Sequence, residues 1–290
     1  VAVWVEEMVR HLTRLREIRP RCITGKFLGA VGTGAAQGER PMELQDLVLG
    51  ELGLEAPVAT TQVVGRDRYI EWVGWMANVA TSIEKILQEI RNLQRTEIGE
   101  VAEAFDTKKQ VGSSTMAHKK NPITAENACG LARIVLSMII PSYENALLWH
   151  ERDLANSSSE RFTLSHSMIL LDDVISKCDR VLSGMVVDSS RMKKNIESQN
   201  GLIMAEKVML ELVERGMPRD MAHEVLRSAS MIAAESGSNL EEVCRGTESI
   251  MEIFDEDELG GLFEPESHLG SSIEIVERAI EIARTESSEK

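Results

Sequence analysis

From Arg68 to Phe105 no proline interrupts the chain, and Met76, Ala80, Ile83, Leu87 and Ile90 recur at the three-and-four spacing of one helical face. The stripe predicts a single helix of about 35 residues, roughly 50 Å at ~1.5 Å per residue, with its apolar face sealed in a bundle. A helix of that length predicts a bundle shared between subunits. Helical patterning resumes at Pro122, breaks or kinks at Pro141, and runs again from about Ser159 towards Leu182. It weakens at Gly184 and at Asn200-Gly201. Beyond that point the helices shorten: Gly216 and Pro218 punctuate one boundary, and Ser238 with Glu241 reads as a capping box for another. Period-two alternation bounded by turn residues is almost absent, so the class is all-α. The expected division is a helical-bundle domain over 1–200 and a smaller C-terminal helical domain over 201–290. The chain opens on Val1 with no initiator methionine, already in helical pattern, and so reads as a piece of a longer protein.

Composition narrows the partners. A net charge of -15 over 290 residues opposes binding to nucleic acid or an anionic membrane, both of which call for a basic face. Cys22, Cys129, Cys178 and Cys244 stand far apart, without Cys-x-x-Cys pairing or metal-ligand spacing with histidine. This argues against a structural zinc or a disulfide framework and suits a reducing cytoplasm. No apolar run approaches the ~18 residues of a membrane span, since Ile134 to Ile140 stops at Pro141.

Chemistry concentrates in two stretches. Residues 112–122 read Gly-Ser-Ser-Thr-Met-Ala-His-Lys-Lys-Asn-Pro: small loop-forming residues and paired hydroxyls, then Lys119 and Asn121 as donors for a carboxylate or oxyanion, then a proline suited to a first helical turn. Residues 149–161 read Trp-His-Glu-Arg-Asp-Leu-Ala-Asn-Ser-Ser-Ser-Glu-Arg, in which Arg152 and Arg161 bracket three serine hydroxyls. Forked guanidiniums with hydroxyl donors are what a phosphate monoester requires. The Gly25 to Gly34 stretch is glycine-rich and carries Lys26, but it has neither the P-loop order nor a dinucleotide fingerprint; turn formation and a place in the wall of a site are its two readings.

The first stretch resembles the signature loop of the fumarase/aspartase superfamily, Gly-Ser-Ser-x-Met-Pro-x-Lys-x-Asn-Pro, departing only at Ala117. The second resembles the corresponding segment of the adenylosuccinate lyase branch. Thr61-Gln62-Val63-Val64-Gly65-Arg66-Asp67 and the run Leu93 to Val101 fit as well, so the resemblance covers essentially the whole chain. It implies a long-helix bundle of the fumarase/aspartase type and a β-elimination releasing fumarate from adenylosuccinate or succinylaminoimidazole carboxamide ribonucleotide, a step of purine biosynthesis. Ser113 would be the base, with Ser114 beside it, Lys119 and Asn121 the donors to the carbanion, and Glu126 the carboxylate that orients an acid histidine or simply favours a helix start. Gln62, Ser114, Met116, Arg152, Ser157 and Arg161 would bind substrate. No cofactor and no metal are implied. The expected partners are a small nucleotide substrate and other copies of the chain, in a cytoplasmic homotetramer whose active sites are shared between subunits. The family's acid histidine belongs to a Gly-Arg-Thr-His-Gly-Gln motif, which none of the six histidines here occupies, so the chain alone is expected to be inactive. Two other readings are a relative such as 3-carboxy-cis,cis-muconate cycloisomerase, whose substrate carries no phosphate, and a non-catalytic scaffold like the superfamily members used as lens crystallins.

Overall fold

The computed structural model describes residues 1–104 and 120–288. Contacts divide the chain into two compact units, one formed by Val1–Thr96, Val101–Val186 and Ala279–Lys290, the other by Glu97–Glu100 and Val187–Arg278. This division falls at 186/187, whereas patterning pointed to 200/201.

The first unit is a helical bundle of α1 (Ala2–Cys22), α2 (Pro41–Glu51), α3 (Asp67–Leu93), α4 (Ile123–Ser137), α5 (Ile139–Glu144), α6 (Ala155–Thr163) and α7 (Ser165–Gly184). The only strands among the described residues are the two-residue β1 (Val101–Ala102) and β2 (Val186–Val187). α3 is the central rod and packs on α1, α4, α5 and α7. Its stripe of Met76, Ala80, Ile83, Leu87 and Ile90 is buried as the periodicity required. Facing it, α4 presents Ala125, Ala128, Cys129, Ala132 and Val135, all at 0–1% exposure; such small side chains let the helix axes approach closely. Three expectations need correction. α3 is 27 residues long and ends at Leu93, after which the chain leaves the helix and passes through Gly99 at φ 64°. The kink ascribed to Pro141 falls at Met138, between α4 and α5. Proline has no N–H for the Ser137 carbonyl and its ring clashes there, so the ladder breaks three to four residues upstream of the ring. The helix expected from about Ser159 starts earlier, at Ala155.

The expectation about apolar runs also changes. Across the kink, Ile123–Glu144 is 22 residues long with mean hydropathy 1.5, enough to cross a membrane by length and composition alone. Its inner face is bundle core, but only 28% of the most apolar window is covered within the chain.

The second unit contains α8 (Ser189–Glu197), a 3-10 turn at Leu202–Met204, α9 (Ala205–Glu214), α10 (Arg219–Ser236), α11 (Leu240–Arg245), α12 (Glu248–Met251) and α13 (Glu256–Leu262). Its own core gathers Leu212, Leu226, Leu240, Ile250, Phe254 and Leu259 around Cys244, whose thiol burial pushes up to about 12. The Ser238/Glu241 capping box is not formed: Asn239 caps α11 by accepting the Glu241 N–H, and a true box closes two helices later, at the start of α13, between Asp255 and Glu258. α14 (Ser272–Ser288) completes the chain and is divided between the units.

Candidate active site

The loop before α3 and the segment between α5 and α6 meet in the first unit. The Gln62 N–H donates to the Glu151 carbonyl at 3.2 Å, bringing the two family-like stretches side by side. An ion pair fastens them. Arg66 presents Nε to Glu160 Oε1 at 2.7 Å and Nη2 to Oε2 at 3.1 Å, while its Nη1 donates to the Val64 carbonyl at 2.8 Å. The two side chains are only 9% and 15% exposed, so this fork in low dielectric would be costly to break from one side. Arg66 also lies 5.2 Å over the Tyr69 ring.

Beside this clasp a cleft of about 390 Å³ opens, lined by Thr60, Thr61, Val63, Arg66, Leu148 and His150 among others. The Gly-rich stretch does back its wall. A Cβ on Gly32, at φ 77°, would sit 2.1 Å from the Thr60 carbonyl oxygen, so that contact requires glycine. His150 holds φ 46°, uncommon outside glycine and the kind of local strain that collects near functional sites.

α6 distributes the 149–161 residues by helical spacing. Asn156, Glu160 and Thr163 face inward, with Asn156 and Thr163 buried, and Ser157 and Arg161, one turn apart, lie on the adjacent face. Arg161 is exposed, Ser157 half-buried, and the Nε of Arg152 is buried with no hydrogen-bond partner among the described residues. Asp153 turns the entry to the helix: its carboxylate accepts the Ala155 N–H at 2.8 Å and the Trp149 N–H at 3.0 Å, and these bonds hold its pKa down. The amide oxygen and nitrogen of buried Asn156 are likewise without partners among the described residues.

Asn121 and Glu126 stand at the start of α4. Asn121 is half-buried and its carbonyl accepts the Ile123 N–H at 2.9 Å; Glu126 is exposed in the first turn, where a negative charge favours the helix dipole. Ser113, Ser114, Met116 and Lys119 lie outside the described residues. The Arg66–Glu160 clasp was missed from sequence although both residues sit inside the quoted motifs. Their charges were visible, but nothing local says that they pair. Among the described residues no three histidine, cysteine or acidic side chains are grouped to hold a metal.

Against known proteins, residues 1–137 match the lyase family model and residues 201–279 the model for the adenylosuccinate lyase C-terminus. Over 279 residues, 96% of its length, the chain is 43% identical to adenylosuccinate lyase of Archaeoglobus fulgidus and 46% identical to that of Pyrococcus abyssi. The chain belongs to the fumarase/aspartase superfamily. It spans 63% and 62% of the length of those two relatives. Solved superfamily structures agree on the fold. The 3-carboxy-cis,cis-muconate lactonizing enzyme from Pseudomonas putida superposes with TM-score 0.89 at 30% identity, over 99% of this chain and 63% of that one. Fumarate lyase from Mesorhizobium sp. BNC1 does so with TM-score 0.87 at 29% identity, over 97% and 62%.

Proposed function

We propose that the complete protein, of which this chain forms part, is a carbon-nitrogen lyase that removes fumarate from adenylosuccinate, leaving AMP, and from the analogous succinylated imidazole carboxamide ribonucleotide. The observation that carries this reading is the 43–46% identity to two archaeal adenylosuccinate lyases over nearly the whole chain, against 30% to the muconate lactonizing enzyme. The site chemistry is consistent with it. Arg152, Ser157 and Arg161, before and along one side of α6, suit a phosphate monoester. Gln62, whose backbone N–H meets the Glu151 carbonyl, is a further substrate-binding residue.

Ser113 takes the proton from the carbon beside the succinyl carboxylate, and the electron pair spreads into that carboxylate as an aci-form. Lys119 and Asn121 stabilise this form, and Ser114 and Met116 bind substrate. The pair then returns to form the fumarate double bond as the C–N bond breaks, and an acid histidine protonates the departing nitrogen. That histidine belongs to a motif absent from these 290 residues; Glu126 is the carboxylate that orients it.

The oligomer expected from the resemblance, a homotetramer with shared sites, has support in the surface. Ile140, Trp149, Phe162 and Ile169 of the bundle are 56–78% exposed, large apolar side chains for a single chain to leave wet. Four free, buried cysteines suit the cytoplasm.

The test is fumarate release from adenylosuccinate by the full-length protein, with a 3-carboxymuconate lactonization assay alongside. Turnover in the second and not the first would replace this reading by the cycloisomerase one. The 290-residue chain by itself is expected to be silent. Arg161→Ala should weaken AMP binding ~10- to 150-fold, the ~1.5–3 kcal/mol of a charged hydrogen bond, and leave fumarate affinity nearly unchanged. Equal loss for both ligands would assign Arg161 to the carboxylate end.

A further inference from the structure

The residues that hold the start of α4 have no role in the reading above. Pro122, the N-cap of α4, has no side-chain acceptor, so the first N–H groups of the helix would be orphans. Glu103 supplies the missing acceptor from a distant part of the chain: its carboxylate, only 8% exposed, accepts the Thr124 N–H at 3.2 Å and the Ala125 N–H at 3.0 Å. A second side chain fixes Glu103 in turn. Gln94, the first residue past α3, accepts the Glu103 N–H at 2.8 Å through its amide oxygen and donates from Nε2 to the Lys120 carbonyl at 3.1 Å. The orientation of the amide follows from its partners, since one is a donor and the other an acceptor. A carboxamide carries the donor and the acceptor on separate atoms, so one side chain serves both partners at once.

Asn121 therefore sits between two fixed points. Its preceding residue is tied by Gln94, and the N–H groups that follow it are tied by Glu103. We infer that Gln94 and Glu103 are positioning residues for the elimination, a two-step bracket from the end of α3 that sets where Asn121 stands. The inference rests on the proposed role of Asn121 as a donor to the substrate carboxylate. A donor aimed at developing charge acts only if it is already in place, and a displacement of about 1 Å can cost ~10²-fold in rate.

The test uses the full-length protein with Gln94→Met, which keeps the length and loses both hydrogen bonds, and Glu103→Gln, which keeps the shape and loses the charge. Each should lower kcat for adenylosuccinate by ~10- to 100-fold with KM, AMP inhibition and melting temperature little changed, because the nucleotide contacts at α6 are untouched. Hydrogen exchange at the Thr124 and Ala125 amides, read on the same proteins, should be slow in the wild type and faster in Glu103→Gln. Wild-type kcat in both variants would overturn the inference, as would a fall in kcat that merely follows a fall in stability. Unprotected Thr124 and Ala125 amides in the wild type would overturn it even without an assay. A wild-type protein that releases no fumarate sinks the lyase reading instead, and the exchange measurement then decides whether the bracket exists.

Discussion

The two units solve the same problem, holding helices together, by different means. In the first, none of α1 to α7 takes a side-chain hydrogen bond at its own N-cap. Its long helices persist because α3 buries one continuous seam against its neighbours, and the start of α4 is served by Glu103 from far along the chain. In the second, the short helices α8, α11 and α13 begin with Asp188, Asn239 and Asp255 as side-chain caps, while the 18-residue α10 has none. A short helix has too few intrahelical bonds to offset its nucleation, so local caps matter more there. The functional contrast runs the same way. Every described candidate residue, Gln62, Asn121, Glu126, Arg152, Ser157 and Arg161, lies in the first unit.

The largest effect that would test this contrast is chemical. Ser113→Ala in the full-length protein should lower kcat by ~10²- to 10⁴-fold while AMP binding is retained, whereas Asn239→Ala in the second unit should leave kcat unchanged. A drop of only a few-fold at Ser113 would move the base elsewhere, and a matching drop at Asn239 would erase the functional distinction between the units.

Next is packing. Leu87 is fully buried in the seam, and Leu87→Ala should cost ~2–5 kcal/mol, read as a lower denaturant midpoint of the first unit's transition. Asp255→Ala, which opens the capping box, should cost ~0.5–2 kcal/mol and act on the second unit. One cooperative transition, displaced by both variants, would mean that the units do not melt independently.

The smallest effect concerns pH. His11 lies buried between α1 and α3, its Nε2 2.8 Å from Ser82 Oγ and its Nδ1 3.2 Å from Arg14 Nη1. Ser82 donates in turn to Glu7 at 2.6 Å, so the His11 Nε2 carries the proton and Nδ1 accepts from Arg14. Burial depresses the His11 pKa below its ordinary 6.5, Arg14, Arg10 and Lys85 adding to the effect and Glu7 opposing it. A lowered imidazole pKa means that the unfolded chain binds the extra proton first. The contribution is therefore complete above about pH 6.5 and is lost as pH falls through the depressed folded value. Glu7, itself held low by Lys85 and Ser82, acts in a separate window: its contribution is present above its ordinary 4.5 and is lost at lower pH. His11→Gln should flatten the stability profile just below pH 6.5 and leave the acid limb below pH 4.5 in place. An unchanged slope just below 6.5 would remove His11 from the account.

Much of the fold was legible because it is written in short-range periodicity. The α3 stripe needed only the identity of every third or fourth residue; helices were expected to shorten beyond Gly201, yet α10 runs for 18 residues and α14 for 17. The errors came where a local sign has two outcomes. Ser238 and Asn239 are both competent caps, and only the packing of Leu240 into the second unit's core selects Asn239. Pro141 marks a break, but the backbone relieves the clash upstream at Met138. The candidate residues were legible as motifs, because hydroxyls, guanidiniums and carboxamides at fixed spacing carry their chemistry with them.

Sequence by itself thus determined the all-α class, the buried face of α3, the superfamily and the residue types available for an elimination. Tertiary structure alone decided which of them meet. Arg66 and Glu160 are separated by 94 positions, Gln94 and Lys120 by 26, and Glu103 and Ala125 by 22. Local propensity cannot reach across such intervals. Each pairing depends on where rigid helices come to rest once their apolar faces are buried, and only then does a buried carboxylate find the N–H groups that compensate its loss of water.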